Sequence, residues 1–111
     1  MNLYDIPTHK KSPEFINTII EIPRETSAKY EYDKDLEIFR LDRCLQSAMV
    51  YPGNYGFIPN TLAADGDPLD VVVFNRTPIA RGTLVECQVL GSLNMEAVSY
   101  THLTLPTICS V

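Results

Sequence analysis

Phe15–Ile22 reads FINTIIEI and is closed by Pro23. The segment is rich in isoleucine and partly alternating, which predicts a strand, and a proline with no N–H to donate ends its ladder. The flanking chain repeats the theme. Lys29–Asp33 (KYEYD) alternates Tyr30 and Tyr32 with charges, and Glu37–Arg43 (EIFRLDR) sets Ile38 and Leu41 imperfectly around Phe39. Lys34-Asp35 between them suits a tight turn, so residues 29–43 predict a β-hairpin. Val71–Phe74 is a short apolar strand, and Gly82–Leu93 (GTLVECQVLGSL) alternates until Gly91, a predicted bulge or bend. Tyr51–Pro59 (YPGNYGFIP) and Ala63–Asp70 read as loops, and only Leu45–Met49 hints at a helix. An open sheet of five or six such strands would leave unpaired edges. The expected fold is therefore mainly β with minor α, closed into a small barrel.

Composition narrows the function. The chain has 111 residues, enough for one domain, with 45% hydrophobic and 21% charged residues, which is ordinary globular usage. A net charge of −5 argues against nucleic-acid or anionic-membrane surfaces, which need clustered cations. There is no apolar run of 18 residues, so no membrane-spanning helix is expected, and the N-terminus lacks the pattern of a secretory signal. Cys44, Cys87 and Cys109 are odd in number and widely spaced, with no CxxC pair. Each reads as an inert small hydrophobe in a reducing cytoplasm. Residues 1–14 are polar, carry Pro7 and Pro13, and read as an N-terminal arm.

Three features carry chemistry. Asp65-Gly66-Asp67-Pro68-Leu69-Asp70 holds three carboxylates within six residues. Carboxylates that close repel one another unless a cation compensates, and a hard divalent ion with oxygen ligands is the natural partner. The bland alternative is a solvated acidic turn, since Asp, Gly and Pro all form turns. An EF-hand does not fit, because Leu69, Asp70 and Arg76 would fall at its fifth, sixth and twelfth positions. Tyr51 and Tyr55 flank Pro-Gly-Asn, so one loop could aim two hydroxyls at one ligand, although aromatics beside Gly and Pro more often only pack a loop. Glu21, Lys29, Glu31 and Arg43 form a mixed-charge set, with Lys29 and Glu31 on one strand face. Cross-strand salt bridges would explain them. Otherwise the carboxylates serve metal, and Lys and Arg serve phosphate oxygens. Together the three features suggest metal-assisted phosphoryl transfer to water. His9 and His102 lie in the arm and near the C-terminus, away from these motifs, so a histidine mechanism is not expected.

These residues resemble the soluble family I inorganic pyrophosphatases. The matching stretches are Ile20–Pro23 (IEIP), Lys29–Glu31 (KYE), Asp42-Arg43, Ala48–Phe57 (AMVYPGNYGF) and Asp65–Asp70 with Val71–Val73 behind it. The resemblance runs from about Phe15 to Met95. It implies hydrolysis of pyrophosphate to two orthophosphates with several Mg²⁺ ions on a five-stranded OB-like barrel. It further implies that Asp65 and Asp70 ligate the first metals and that Asp67 accepts the proton of the attacking water. Glu21 and Glu31 would serve further metals. Lys29, Arg43 and Tyr55 would contact phosphate, and Tyr51 would line the same site. Bacterial relatives are commonly hexamers, so a homo-oligomeric parent protein is implied.

The C-terminal stretch departs from this pattern. All nine basic and fourteen acidic residues precede Ala97, and AVSYTHLTLPTICSV carries no charge. Family members continue with two more metal-binding aspartates, further phosphate-binding residues and a long C-terminal helix. SYTHLTLPT resembles a translated sequencing-adapter read-through. Residues 15–96 are therefore expected to be a truncated pyrophosphatase-like barrel, and 97–111 a non-native tail or, alternatively, a divergent strand. Two other functions compete: a different metal-dependent phosphohydrolase, for which no P-loop is visible, and a non-catalytic OB-type binding module, which would need a basic groove with stacking aromatics.

Overall fold

Strand β1 (Phe15–Ile22) is buried on both faces, which explains its incomplete alternation. Ile16 and Ile20 face the barrel interior, whereas Ile19 belongs to a second apolar cluster outside it. The computed structural model describes residues 2–44, 53–92 and 107–111. Within these lie β2 (Ala28–Asp33), β3 (Ile38–Cys44), β4 (Asn54–Ile58), β5 (Leu69–Phe74), β6 (Leu84–Ser92) and β7 (Thr107–Ser110). Five strands close a barrel in the order β1-β4-β5-β7-β6, with β6 returning to pair with β1. Every pairing is antiparallel except β5 with β7. The fold is thus mainly β, a closed five-stranded barrel consistent with an OB-like fold.

The interior core joins Ile16, Ile20, Ile58, Val71, Val73, Val85, Cys87 and Cys109. The second cluster centres on Ile19, Tyr32 and Phe57, covered by Leu3, Tyr4, Ile6 and Phe39. The β2–β3 hairpin and the N-terminal segment therefore pack on the outer face of β1 and β4.

Several expectations are corrected. Tyr51–Pro59 does not remain a loop: Asn54–Ile58 is β4, paired to β1 on one side and β5 on the other. Gly56 belongs in that strand because a Cβ there would overlap the Ile19 carbonyl oxygen, so the two backbones can only approach this closely at a glycine. Likewise Leu69 and Asp70 already belong to β5. The hairpin turn is longer than Lys34-Asp35. Asp33 accepts from the N–H groups of Asp35 (2.9 Å) and Leu36 (3.0 Å), and Glu37 takes the left-handed φ of 55° that lets β3 begin at Ile38. The N-terminal arm carries a 3₁₀ turn at Leu3–Asp5 and packs on the second cluster through Leu3, Tyr4 and Ile6. Cys87 and Cys109 are not separate hydrophobes. The β6–β7 ladder brings their Cα atoms to 5.8 Å and the structure joins them in a disulfide, while Cys44 is free and exposed. Their 22-residue separation hides this pairing in the sequence. The irregularity expected at Gly91 is present as a register shift between Val89 and Gly91. The helix hint at Leu45–Met49 lies outside the described residues.

Gly56→Ala is expected to lower stability to urea by about 3 kcal/mol or more, because the overlap is with backbone that no rotamer change relieves. Gly91→Ala, where an added Cβ meets nothing within 4 Å, is the matched control and should change little.

Candidate active site

The site begins at an irregularity in β1. Ile20 pairs with Gly56 and Ile22 pairs with Tyr55, leaving Glu21 as the extra residue of a bulge. A bulge re-aims the side chain it carries, and Glu21 is then held from the next strand: the Tyr32 N–H donates to Glu21 Oε2 at 2.8 Å. Burial raises this carboxyl to about 7. The Tyr32 bond and Lys29 oppose the rise, and repulsion from Asp70 and Glu31 adds to it.

Lys29 and Glu31 share a face of β2 as their spacing requires, with Nζ 3.5 Å from Glu31 Oε1. The same ammonium lies 3.4 Å from Asp42 on β3, a cross-strand ion pair with a residue outside the predicted set. Arg43 sits opposite Lys29 in the hairpin register and is exposed. Tyr55, half-buried on β4, stands opposite Ile22 beside the bulge and opposite Val72 of β5. Tyr51 lies outside the described residues.

The acidic loop is shaped by its own backbone. Asp67 donates its N–H to Asp65 Oδ1 at 3.0 Å, Gly66 takes a φ of +87°, and Ala63 donates to the Asp67 carbonyl at 2.7 Å. Asp65 and Asp67 are thereby presented to solvent, while Asp70 is fixed in the β5 ladder opposite Phe57. The Asp70 carboxyl is raised first by partial burial and then by repulsion from Asp65 and Asp67, with Lys29 pulling it down. The fields of Glu21, Glu31, Asp65, Asp67 and Asp70 overlap in one region, and Lys29 is the cation felt by both Glu21 and Asp70.

Two contributors were not singled out from the sequence. Tyr4, from the arm, has its phenol pushed up to about 12 by burial and then by the charges of Glu21 and Asp67. Asn54, fully buried, accepts from the N–H groups of Arg24 (2.8 Å) and Ile79 (2.9 Å) and donates to the Thr77 carbonyl (3.3 Å). It ties the chain after β1 to the loop after β5. An Asn next to a predicted site tyrosine was the available signal for that role.

A sequence profile described as inorganic pyrophosphatase matches residues 18–101. The chain belongs to the inorganic pyrophosphatase family. It is 52% identical over 95 residues to the inorganic pyrophosphatase of Thermus thermophilus and 50% identical over 95 residues to that of Aquifex pyrophilus, in each case across 86% of this chain and 54% of the relative. A crystal structure of the Thermus thermophilus pyrophosphatase superposes with a TM-score of 0.93 at 46% identity, covering all of this chain and 63% of the other. A Neisseria gonorrhoeae pyrophosphatase gives 0.87 at 34% identity. The chain thus spans about half the length of the curated relatives it matches. Among the described residues no helix is long and apolar enough to cross a membrane.

The raised Glu21 carboxyl has a definite sign in stability. Between its ordinary value of 4.5 and about 7, the folded chain retains a proton that the unfolded chain has released. Stability present below pH 4.5 is therefore lost as the pH rises to about 7, by at most about 3 kcal/mol. Urea unfolding in EDTA should show this decline, and Glu21→Gln should flatten much of it. An unchanged slope in that variant would refute the assignment.

Proposed function

We propose that the parent protein of this chain hydrolyses inorganic pyrophosphate to two orthophosphates in the cytoplasm, with Mg²⁺ as cofactor, and works as a homo-oligomer. What carries the reading is the overlap of five carboxylates and Lys29 in one region of a chain that belongs to this family. The donor set fits a hard divalent cation in kind: oxygen ligands only, mutually repelling, two of them with raised carboxyls. Among the described residues, no three His, Cys, Asp or Glu side chains are grouped closely enough to hold one ion between them.

In this reading Asp65 and Asp70 hold the first cations, and Glu21 and Glu31 serve the others. Bound Mg²⁺ supplies acidification of water and neutralisation of phosphate charge. Asp67, exposed at the loop tip, takes the proton of the attacking water on a carboxylate oxygen. Lys29 and Arg43, aligned across the hairpin, bind phosphate oxygens as cations, and Tyr55 and Tyr51 do so through hydroxyls. The water adds to one phosphorus, the bridging P–O bond breaks, and both products leave as orthophosphate. Because the chain covers about half of its relatives, we assign full turnover to the parent protein and expect the 111-residue chain alone to be weak or inactive.

The parent protein should release phosphate from pyrophosphate only with Mg²⁺, stop on adding EDTA, and act far more slowly on ATP and on a phosphomonoester. Asp67→Asn should lower kcat about 100-fold or more. A preference for ATP would favour a different phosphohydrolase. Salt-sensitive binding of single-stranded nucleic acid without hydrolysis would favour a binding module.

A further inference from the structure

The N-terminal arm is built into the site through one residue. Tyr32 is 6% exposed, and its two ends are used differently. Its backbone N–H holds Glu21 Oε2 at 2.8 Å. Its hydroxyl, on the far side of the ring, accepts from the Leu3 N–H at 2.9 Å and donates to Asn2 Oδ1 at 3.3 Å. Asn2 is itself fixed: its Oδ1 accepts from the Tyr4 N–H at 3.0 Å, and its Nδ2 donates to the Lys34 carbonyl in the hairpin turn at 3.0 Å.

The arm is held at further points. The Tyr4 carbonyl accepts from the Asn60 N–H at 2.8 Å, beyond the end of β4. The Tyr4 ring meets Phe57 edge-on at 5.1 Å and Tyr32 at 5.3 Å, and Phe39 closes on Tyr32 from β3 at 5.2 Å. One aromatic cluster therefore joins the arm, the hairpin and β4, and its central ring carries the amide that orients Glu21. Four of the hydrogen bonds just named would break if the arm lifted, and the Tyr32 hydroxyl would then lose both partners beside a buried ring.

We propose that Tyr32 is a positioning residue for the cation site, and that the docked arm, through Asn2 and Leu3, fixes Tyr32 and so the Glu21 carboxylate. This rests on the pyrophosphatase reading of the site. The coupling runs both ways: what seats the arm tightens the site, and a cation at Glu21 tightens the arm.

The test is a Mg²⁺ titration of the full ¹⁵N-labelled chain, followed at the amides of Tyr32 and Leu3. Both signals should shift saturably with one midpoint. Tyr32→Phe keeps the ring and removes the hydroxyl. It should abolish the Leu3 response and raise the Mg²⁺ midpoint threefold or more. Asn2→Ala, which leaves Tyr32 intact, should raise the midpoint in the same direction by less, and it carries the comparison should Tyr32→Phe fail to fold. A Leu3 amide that stays still while Tyr32 saturates, or variants with the wild-type midpoint, would overturn the inference and leave the pyrophosphatase reading standing. A Tyr32 amide indifferent to Mg²⁺, in a chain whose parent protein releases no phosphate from pyrophosphate, would overturn both.

Discussion

The contact between β1 and β4 at Gly56 sets the terms for the rest of the molecule. With no Cβ at this position, the β4 backbone closes against the Ile19 carbonyl, and the barrel can seal at its most crowded seam. One residue further along, the ladder can no longer keep step, and Glu21 is left as the bulged residue. The bulge takes an acidic side chain out of strict alternation, and the neighbouring strand supplies an amide to receive it.

The site that results is electrostatically expensive. Glu21 and Asp70 stand on rigid strands, where they cannot drift apart, and Asp65 and Asp67 approach them from a loop whose shape is fixed by an Asx turn and a glycine. Burial raises both the Glu21 and Asp70 carboxyls, repulsion among the carboxylates adds to the rise, and Lys29 opposes it. Such an arrangement costs stability near neutral pH in the absence of a cation and returns it when one binds. Strands carry Glu21 and Asp70, while the loop leaves Asp67 exposed to water.

Much of this was legible from the residues alone. FINTIIEI and the alternating Tyr30/Tyr32 pattern gave β1 and the hairpin nearly to the residue, and DGDPLD stood out because three carboxylates within six residues read either as a cation site or as a solvated acidic turn. Other parts were hidden for physical reasons. NYGFI reads as a loop because Gly and Asn break local propensity, yet its neighbours on both sides supply the ladder and the glycine is needed for close approach. The Cys87–Cys109 pairing depends on a strand register that spacing cannot reveal. How the arm packs was not legible, because residues 1–14 are polar in composition. Its docking rests on Leu3, Tyr4 and Ile6, three apolar residues scattered among polar ones, and on hydrogen bonds between residues about thirty apart.

The central claim is that the clustered carboxylates exist to hold divalent cations. Anomalous diffraction from crystals of the chain soaked in Mn²⁺ tests it most directly. The account predicts anomalous peaks among Glu21, Asp65 and Asp70, with Asp67 facing the space between them. Peaks confined to other surfaces, or none at a saturating Mn²⁺ concentration, would contradict it.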